Sequence, residues 1–199
     1  ADTGRDVWNS IQYAAKKCGG EIDRDYMKND SNLGNRWQKF LESDAVSGKQ
    51  KFGQFEQLVR IHYREISMYE ETYLYHGIAE ILESAEVEDA ADYVITMNKV
   101  ALERILETKG WSNLFTDCLS PDSFDGKEKK SELISYILEK TGCKPEETVY
   151  IGDTWSDVIA ARENNIDCIG VTYGDGDTGE LLAEIHGFVW ILFVSLKKI

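Results

Sequence analysis

Residues 148–157 read TVYIGDTWSD, and the architecture can be worked out from this stretch. Its first four residues predict a short strand, and Gly152 lets the chain turn where the strand ends. Asp153 follows at once, and Asp157 comes one helical turn later on the same side. Two converging carboxylates form the oxygen-rich site that Mg²⁺ prefers. The alternative interpretation is that Asp153 only caps the following helix.

Apolar segments alternate with amphipathic ones from His76 onward. This pattern is typical of parallel strands with helices on both faces of the sheet. We therefore predict a doubly wound, Rossmann-like α/β core, in which ligands bind beyond the carboxyl ends of the strands. The predicted strands are residues 93–96, 114–116, 148–151, 168–171 and 188–194, and the predicted helices are 78–82, 100–106, 133–138, 156–163 and one near Leu181.

The region from Arg5 to about Tyr75 has a helical pattern without a convincing strand. We predict a third helix in it at residues 33–41, followed by a polar loop at Ser47 and Gly48. Two further helices are indicated by apolar positions at helical spacing. These are Val7, Trp8, Ile11, Ala14, Ala15 and Cys18 in the first helix, and Phe55, Leu58, Val59, His62 and Ile66 in the second.

Two other segments place polar side chains where a parallel sheet binds ligands. Thr96 ends a predicted strand, and its hydroxyl is placed to donate to a phosphate oxygen, with Asn98 as a further amide donor. The alternative is that Thr96 caps the next helix. The loop 174–180, GDGDTGE, predicts a turn and a helix N-cap, because it lacks the ligand pattern of a calcium loop.

Basic residues open the helix that follows residue 126, in the stretch GKEKKSELI. A helix N-terminus disfavours cations, which indicates another partner for one of them, either a bound anion or the Asp153 cluster. The alternative is a solvated basic cluster offset by neighbouring Glu. The candidates are Lys127, Lys129 and Lys130.

Composition narrows the function. The 199 residues carry 22 Lys and Arg against 36 Asp and Glu, a net charge of −14. We expect neither a nucleic-acid partner nor a membrane partner, since both need basic surfaces. A small phosphorylated substrate fits only if a local cation reverses the field at the site. The four cysteines lack a C-x-x-C pair and no apolar run is long enough to span a bilayer, so we expect a cytoplasmic location.

The order strand-Thr, helix-start Lys and strand-Gly-Asp-x-x-x-Asp resembles three motifs of the haloacid dehalogenase-like hydrolases. The stretches KSELI from Lys130, KTG from Lys140 and PEETVYIGDT from Pro145 are similar to the phosphoglycolate phosphatase branch of that superfamily. LYHG from Leu74 resembles the branch's entry to the core, with His76 in place of proline. The resemblance covers nearly the whole chain.

The resemblance implies a core of residues 1–8 and 76–199 with a helical cap of residues 9–75. It also implies a Mg²⁺-dependent phosphatase that forms an aspartyl-phosphate on a small phosphomonoester of the phosphoglycolate type. In this scheme Asp153 is a metal ligand, and Asp157 supports the metal directly or through water. Thr96 holds a phosphoryl oxygen, and Lys130 neutralises the charge of nucleophile and phosphate, with Lys127 and Lys129 as the other candidates.

The sequence departs from the resemblance at its ends. The family's nucleophile motif, Asp-x-Asp-Gly-Thr, does not occur in residues 1–199, and in relatives it lies just before the position of Ala1. An apolar run at 188–194 replaces a more polar ending. Two alternatives therefore remain: an inactive fragment or binding protein that lacks the nucleophile, and a sugar-phosphate mutase with the same metal site.

Overall fold

The computed structural model describes residues 1–19, 49–87, 90–121, 124, 129–174, 176–184 and 189–192. The predicted helix at 33–41 and the loop at Ser47 and Gly48 lie outside the described residues. The described chain divides into two compact units, Ala1–Cys118 and Leu119–Ile199. The predicted core of 1–8 and 76–199 and cap of 9–75 stay predictions. None of the helices within the described ranges has the length and apolar character needed to cross a membrane.

The first unit is mainly helical. Its elements are α1 (Gly4–Lys17), α2 (Lys49–Ile61), a π-helical turn (His62–Ile66), α3 (Ile78–Val87), β1 (Tyr93–Ile95), α4 (Lys99–Lys109) and a 3₁₀ turn (Ser112–Leu114). Strand β2 (Asp117–Leu119) pairs with β1 at the boundary between the units.

The apolar faces of α1 and α2 pack against each other as predicted. Ile11, Ala14 and Ala15 from α1 are buried with Phe55 and Val59 from α2. The predicted face fails only at its end, where the side chain of Ile66 is 47% exposed. The reason is the π-helical turn, in which the Ser67 amide donates to the His62 carbonyl at 2.7 Å, so the extra residue per turn rotates the following side chains away from the α2 face.

Polar contacts hold the segment after the π-helical turn. The Arg104 guanidinium of α4 donates to the carbonyls of Arg64 at 2.6 Å and Ser67 at 3.1 Å. The buried Thr72 hydroxyl donates to the buried Asp6 carboxylate at 2.7 Å. The two bonds from Arg104 satisfy carbonyls that a helix end would otherwise leave without partners, and the Thr72 bond gives the buried Asp6 carboxylate a donor.

The second unit is an α/β layer. It contains α5 (Lys130–Thr141), a 3₁₀ turn (Pro145–Glu147), β3 (Val149–Gly152), α6 (Trp155–Glu163), β4 (Asp167–Val171), α7 (Thr178–Ala183) and β5 (Val189–Leu192). The three strands are parallel in the order β3-β4-β5, with Tyr150 paired to Cys168 and Cys168 to Val189. Helix α6 packs on β3, β4, α5 and α7. The alternation of strands and helices predicted for this region is confirmed.

The strand predicted at residues 114–116 is wrong by a few residues. Helix α4 ends at Gly110, which adopts the left-handed φ of 70° that glycine tolerates, and the Trp111 amide then bonds to the Leu106 carbonyl at 2.8 Å. Residues 112–114 use the next turn as a 3₁₀ helix, so the strand begins only at Asp117. The strand was predicted from the apolar side chains of Leu114 and Phe115, and hydrophobic periodicity alone does not separate a short turn from a short strand.

Candidate active site

The candidate site is built where β3 passes into α6. Strand β3 ends at Gly152, and Asp153 and Thr154 bridge to the first residue of α6, Trp155. A Cβ atom at Gly152 would overlap Cβ and Cγ of Asp157. Glycine is therefore required here to let the Asp157 carboxylate fold back over the end of the strand.

Asp157 is a buried carboxylate that accepts four hydrogen bonds. Its Oδ1 accepts from Lys130 Nζ at 2.6 Å and from the Tyr150 hydroxyl at 3.1 Å. Its Oδ2 accepts from the Thr154 amide at 3.1 Å and from the Thr154 hydroxyl at 2.6 Å. The whole residue is only 3% exposed, so the four hydrogen bonds replace those that water would otherwise make to the charged carboxylate.

Lys130 is the candidate lysine that contacts Asp157. It is the first residue of α5, and its side chain is 23% exposed against 4% for the Asp157 side chain. Lys129 is the exposed N-cap residue of the same helix, where its amide donates to Glu132 Oε2 at 3.1 Å. Lys127 lies outside the described residues. The ion pair explains why a cation is tolerated at this helix N-terminus.

Asp153 lies under the loop that follows β4. Its Oδ2 accepts from the Gly176 amide at 3.0 Å, which is the one hydrogen bond to this carboxylate from the part of the chain that the structure describes. Cβ atoms at Gly174 or Gly176 would overlap Asp153. Asp177 then caps α7 by accepting from the Glu180 amide at 2.9 Å. The predicted turn and N-cap are confirmed.

The carboxylates dominate the electrostatics of the site. Burial, and next the charge of Asp157, raises the pKa of the Tyr150 phenol well above its ordinary value. Burial, and next the charge of Asp153, also raises the pKa of Tyr173. Both hydroxyls therefore stay protonated at neutral pH, and the Tyr150 hydroxyl stays a hydrogen-bond donor.

Comparison with known proteins identifies the family. The sequence profile described as haloacid dehalogenase-like hydrolase matches residues 1–171. The chain belongs to the haloacid dehalogenase-like hydrolases.

Individual relatives agree with this family. The chain is 31% identical to a 5'-nucleotidase of Pseudomonas aeruginosa over 62% of its length and 58% of the relative's. It is 32% identical to a phosphoglycolate phosphatase of Colwellia psychrerythraea over 64% of its length and 59% of the relative's. The matched residues thus span about three fifths of these relatives. A crystal structure of a candidate phosphatase from Clostridium difficile superposes with a TM-score of 0.78 at 23% identity, over 97% of this chain and 89% of that one.

The residues at the end of β3 fit the divalent cation expected in a haloacid dehalogenase-like site. The described residues hold no group of three or more His, Cys, Asp or Glu side chains placed to bind a metal ion. Mg²⁺ does not need one, because it takes one or two carboxylates and fills its other positions with water and phosphate. Asp153 accepts a single hydrogen bond from the described residues, so lone pairs of its carboxylate have no donor there. The four lone-pair sites of Asp157 already accept hydrogen bonds from protein donors. This arrangement favours Asp153 as the direct metal ligand, with Asp157 in a supporting position.

Thr96 and Asn98 lie in the first unit, after β1. Asn98 caps α4, and its Oδ1 accepts from the Ala101 amide at 3.3 Å. The Thr96 Oγ1 accepts from the Asn98 amide at 3.1 Å. The cap is therefore Asn98 and not Thr96, and the Thr96 hydroxyl keeps its own hydrogen for donation. Binding of a phosphoryl oxygen by Thr96 and Asn98 stays a prediction.

Sequence reasoning missed the donors around the two aspartates. The sequence predicts a strand position for Tyr150, and it predicts no contact with Asp157 for either Tyr150 or Thr154. A signal existed for Thr154, because Thr at an N-cap with an acidic residue three positions later is a capping-box pattern. No such signal marks Tyr150, whose contact with Asp157 depends on the side of the strand that α6 covers.

Proposed function

We propose that the protein is a Mg²⁺-dependent phosphatase that hydrolyses a small phosphomonoester of the phosphoglycolate type. The observation that carries the proposal is the Lys130 ammonium held at 2.6 Å from Asp157 Oδ1, beside Asp153 at the carboxyl end of β3. This contact supports the proposal because a cation and two carboxylates then lie at the sheet edge where α/β proteins bind ligands.

The charge of the molecule explains why these groups are needed. A net charge of −14 repels a phosphate monoester, so the site itself has to supply positive charge. Lys130 supplies one charge, and its ammonium has three donors, of which one goes to Asp157. We propose that the remaining donors face the phosphoryl oxygens and lower the cost of the charge that develops during transfer.

Each of the other residues has a separate role. Asp153 would hold Mg²⁺, with Asp157 supporting it. When bound, Mg²⁺ would neutralise charge on the phosphoryl group. Thr96 would donate its hydroxyl to a phosphoryl oxygen, and Asn98 orients the Thr96 turn through its amide. The similarity to the phosphoglycolate phosphatase and the 5'-nucleotidase supports a phosphomonoester substrate.

Metal removal tests this function. We expect the full-length protein to release phosphate from p-nitrophenyl phosphate in the presence of MgCl₂. EDTA should abolish the release, and excess MgCl₂ should restore it. Release that persists in EDTA would contradict the metal dependence. Absence of any release with and without Mg²⁺ would favour a binding protein, and isomerisation of a sugar phosphate without net release would favour a mutase.

A further inference from the structure

Asp157 Oδ1 receives two donors that differ in rigidity. Lys130 reaches it at 2.6 Å through a flexible four-carbon side chain, and Tyr150 reaches it at 3.1 Å through an aromatic ring. An aromatic side chain has only two rotatable bonds and loses little freedom when it is placed. Of the two, Tyr150 is the donor that can define where Oδ1 lies.

Tyr150 is itself firmly anchored. It sits in the middle of β3, in register with Cys168 of β4, whose side chain is only 2% exposed. Helix α6, which carries Asp157, packs directly on both strands. The phenol hydroxyl therefore projects from the sheet toward a carboxylate on the covering helix, and neither group depends on a loop for its place.

The second oxygen of Asp157 is fixed separately. Thr154 donates both its amide and its hydroxyl to Oδ2, at 3.1 and 2.6 Å. A turn about the Cβ–Cγ bond moves both oxygens of Asp157 together, so a donor on Oδ1 gives the carboxylate a second point of restraint on the side that faces Lys130. The Tyr150 hydroxyl supplies that second point, because its direction is set by the strand.

We propose that Tyr150 is a positioning residue, which sets the location of the Lys130 ammonium by holding Asp157 Oδ1 in place. The inference rests on the proposed function, in which Lys130 faces the transferring phosphoryl group. Tyr150 touches neither substrate nor metal and acts through Asp157. Small displacements of a positioned charge cost rate more than they cost binding, because the contact strengthens as the transition state forms.

The substitution Tyr150→Phe tests the inference in the full-length protein. It keeps the ring and removes only the hydroxyl. With p-nitrophenyl phosphate and MgCl₂ we expect kcat to fall about tenfold and KM to change less than about twofold. The matched control is Tyr73→Phe, which removes another tyrosine hydroxyl bonded to a carboxylate, Asp2 Oδ2 at 2.8 Å, and should leave kcat unchanged.

A second readout does not depend on turnover. Acetic anhydride acetylates accessible lysines, and mass spectrometry of the peptides gives the rate at each site. We expect Tyr150→Phe to raise the rate at Lys130 several-fold relative to the exposed Lys144, with thermal unfolding as cooperative as in Tyr73→Phe. The Tyr73→Phe control should leave the ratio of the two rates as it is in the parent protein.

The outcomes separate the two proposals. An unchanged Lys130 acetylation ratio in Tyr150→Phe would overturn the positioning role, whatever the enzyme does. A changed ratio with full kcat would show that Tyr150 places Lys130, and it would overturn the part of the inference in which this placement sets the rate. Absence of Mg²⁺-dependent turnover in the parent protein would contradict the proposed function and leave the acetylation result to decide whether Tyr150 fixes Lys130.

Discussion

At the scale of single residues, the two aspartates of the Gly-Asp-x-x-x-Asp stretch have different environments. Asp157 is enclosed, with Gly152 beneath it and four donors around it. Asp153 accepts one hydrogen bond from the described part of the chain, given by the Gly176 amide, and is partly exposed. A carboxylate whose lone pairs all accept hydrogen bonds holds its neighbours in place, whereas one with lone pairs left over can bind a cation.

The spacing of these aspartates was predictable, because residues four apart share one side of a helix. The identity of their partners was not. Tyr150 comes from a strand and Lys130 from another helix, so the cluster exists only after α6 packs on β3 and on α5. The sequence narrowed the lysine to three candidates, and packing alone brings Lys130 to Asp157.

The buried thiol of Cys168 gives a prediction for alkaline pH. Burial, and next the charge of Asp157, raises its pKa from 9.0 to about 11. The exposed Cys143 has no comparable enclosure. At pH 8 we expect iodoacetamide to modify Cys143 quickly and Cys168 only after urea unfolds the protein, as read by mass spectrometry. Comparable rates at the two cysteines in the folded protein would contradict the buried position.

The same shift affects stability with a defined sign. The unfolded chain loses the Cys168 proton near pH 9, while the folded chain holds it to about pH 11. The contribution is therefore fully present below pH 9 and declines as the pH rises from about 9 to about 11. A Cys168→Ala variant should lose less unfolding free energy across this interval than the parent.

At the scale of elements, one side chain links the two helices that carry Lys130 and Asp157. The Asn164 amide at the end of α6 donates to the carbonyls of Ser131, at 3.0 Å, and Ala160, at 2.9 Å. Its Oδ1 accepts from the Ser135 hydroxyl at 2.6 Å. Ser131 is the second residue of α5, so this link lies next to Lys130.

Loss of this link should weaken the second unit. We expect Asn164→Ala to lower the free energy of unfolding by about 1–2 kcal/mol, because it removes three hydrogen bonds and leaves carbonyls to find water. Ser135→Ala removes only one of the three and should cost less. Urea denaturation with matched m-values measures both. Equal costs for the two substitutions would show that the amide does not join the helices.

The elements also show where sequence patterns succeed. The faces of α1 and α2 were predictable from apolar spacing, because both helices bury one stripe against each other. The position of the strand near residue 116 was not predictable, because the left-handed Gly110 cap ends the preceding helix. The direction of the side chains after His62 was not predictable either, because the π-helical turn adds a residue per turn. Backbone geometry of this kind is hard to predict from the pattern of apolar and polar residues alone.

At the scale of the whole molecule, the acidic charge and the phosphatase proposal have to be reconciled. A chain with net charge −14 can attract a phosphomonoester only through local cations. The structure supplies Lys130 beside Asp157, and we propose that Asp153 holds a metal ion as the second source of positive charge. The resemblance to the phosphoglycolate phosphatase branch predicted this family from a few motifs, and the family match over residues 1–171 confirms it.

The central claim is that Asp153 is the carboxylate on which phosphatase activity depends. The most direct measurement compares Asp153→Asn with Asp167→Asn in the full-length protein, with p-nitrophenyl phosphate and MgCl₂. Asp167 is an exposed residue at the start of β4, away from the carboxyl ends of the strands. We predict that Asp153→Asn lowers kcat by about a hundredfold or more, while Asp167→Asn leaves it unchanged. Full Mg²⁺-dependent activity in Asp153→Asn would contradict the account.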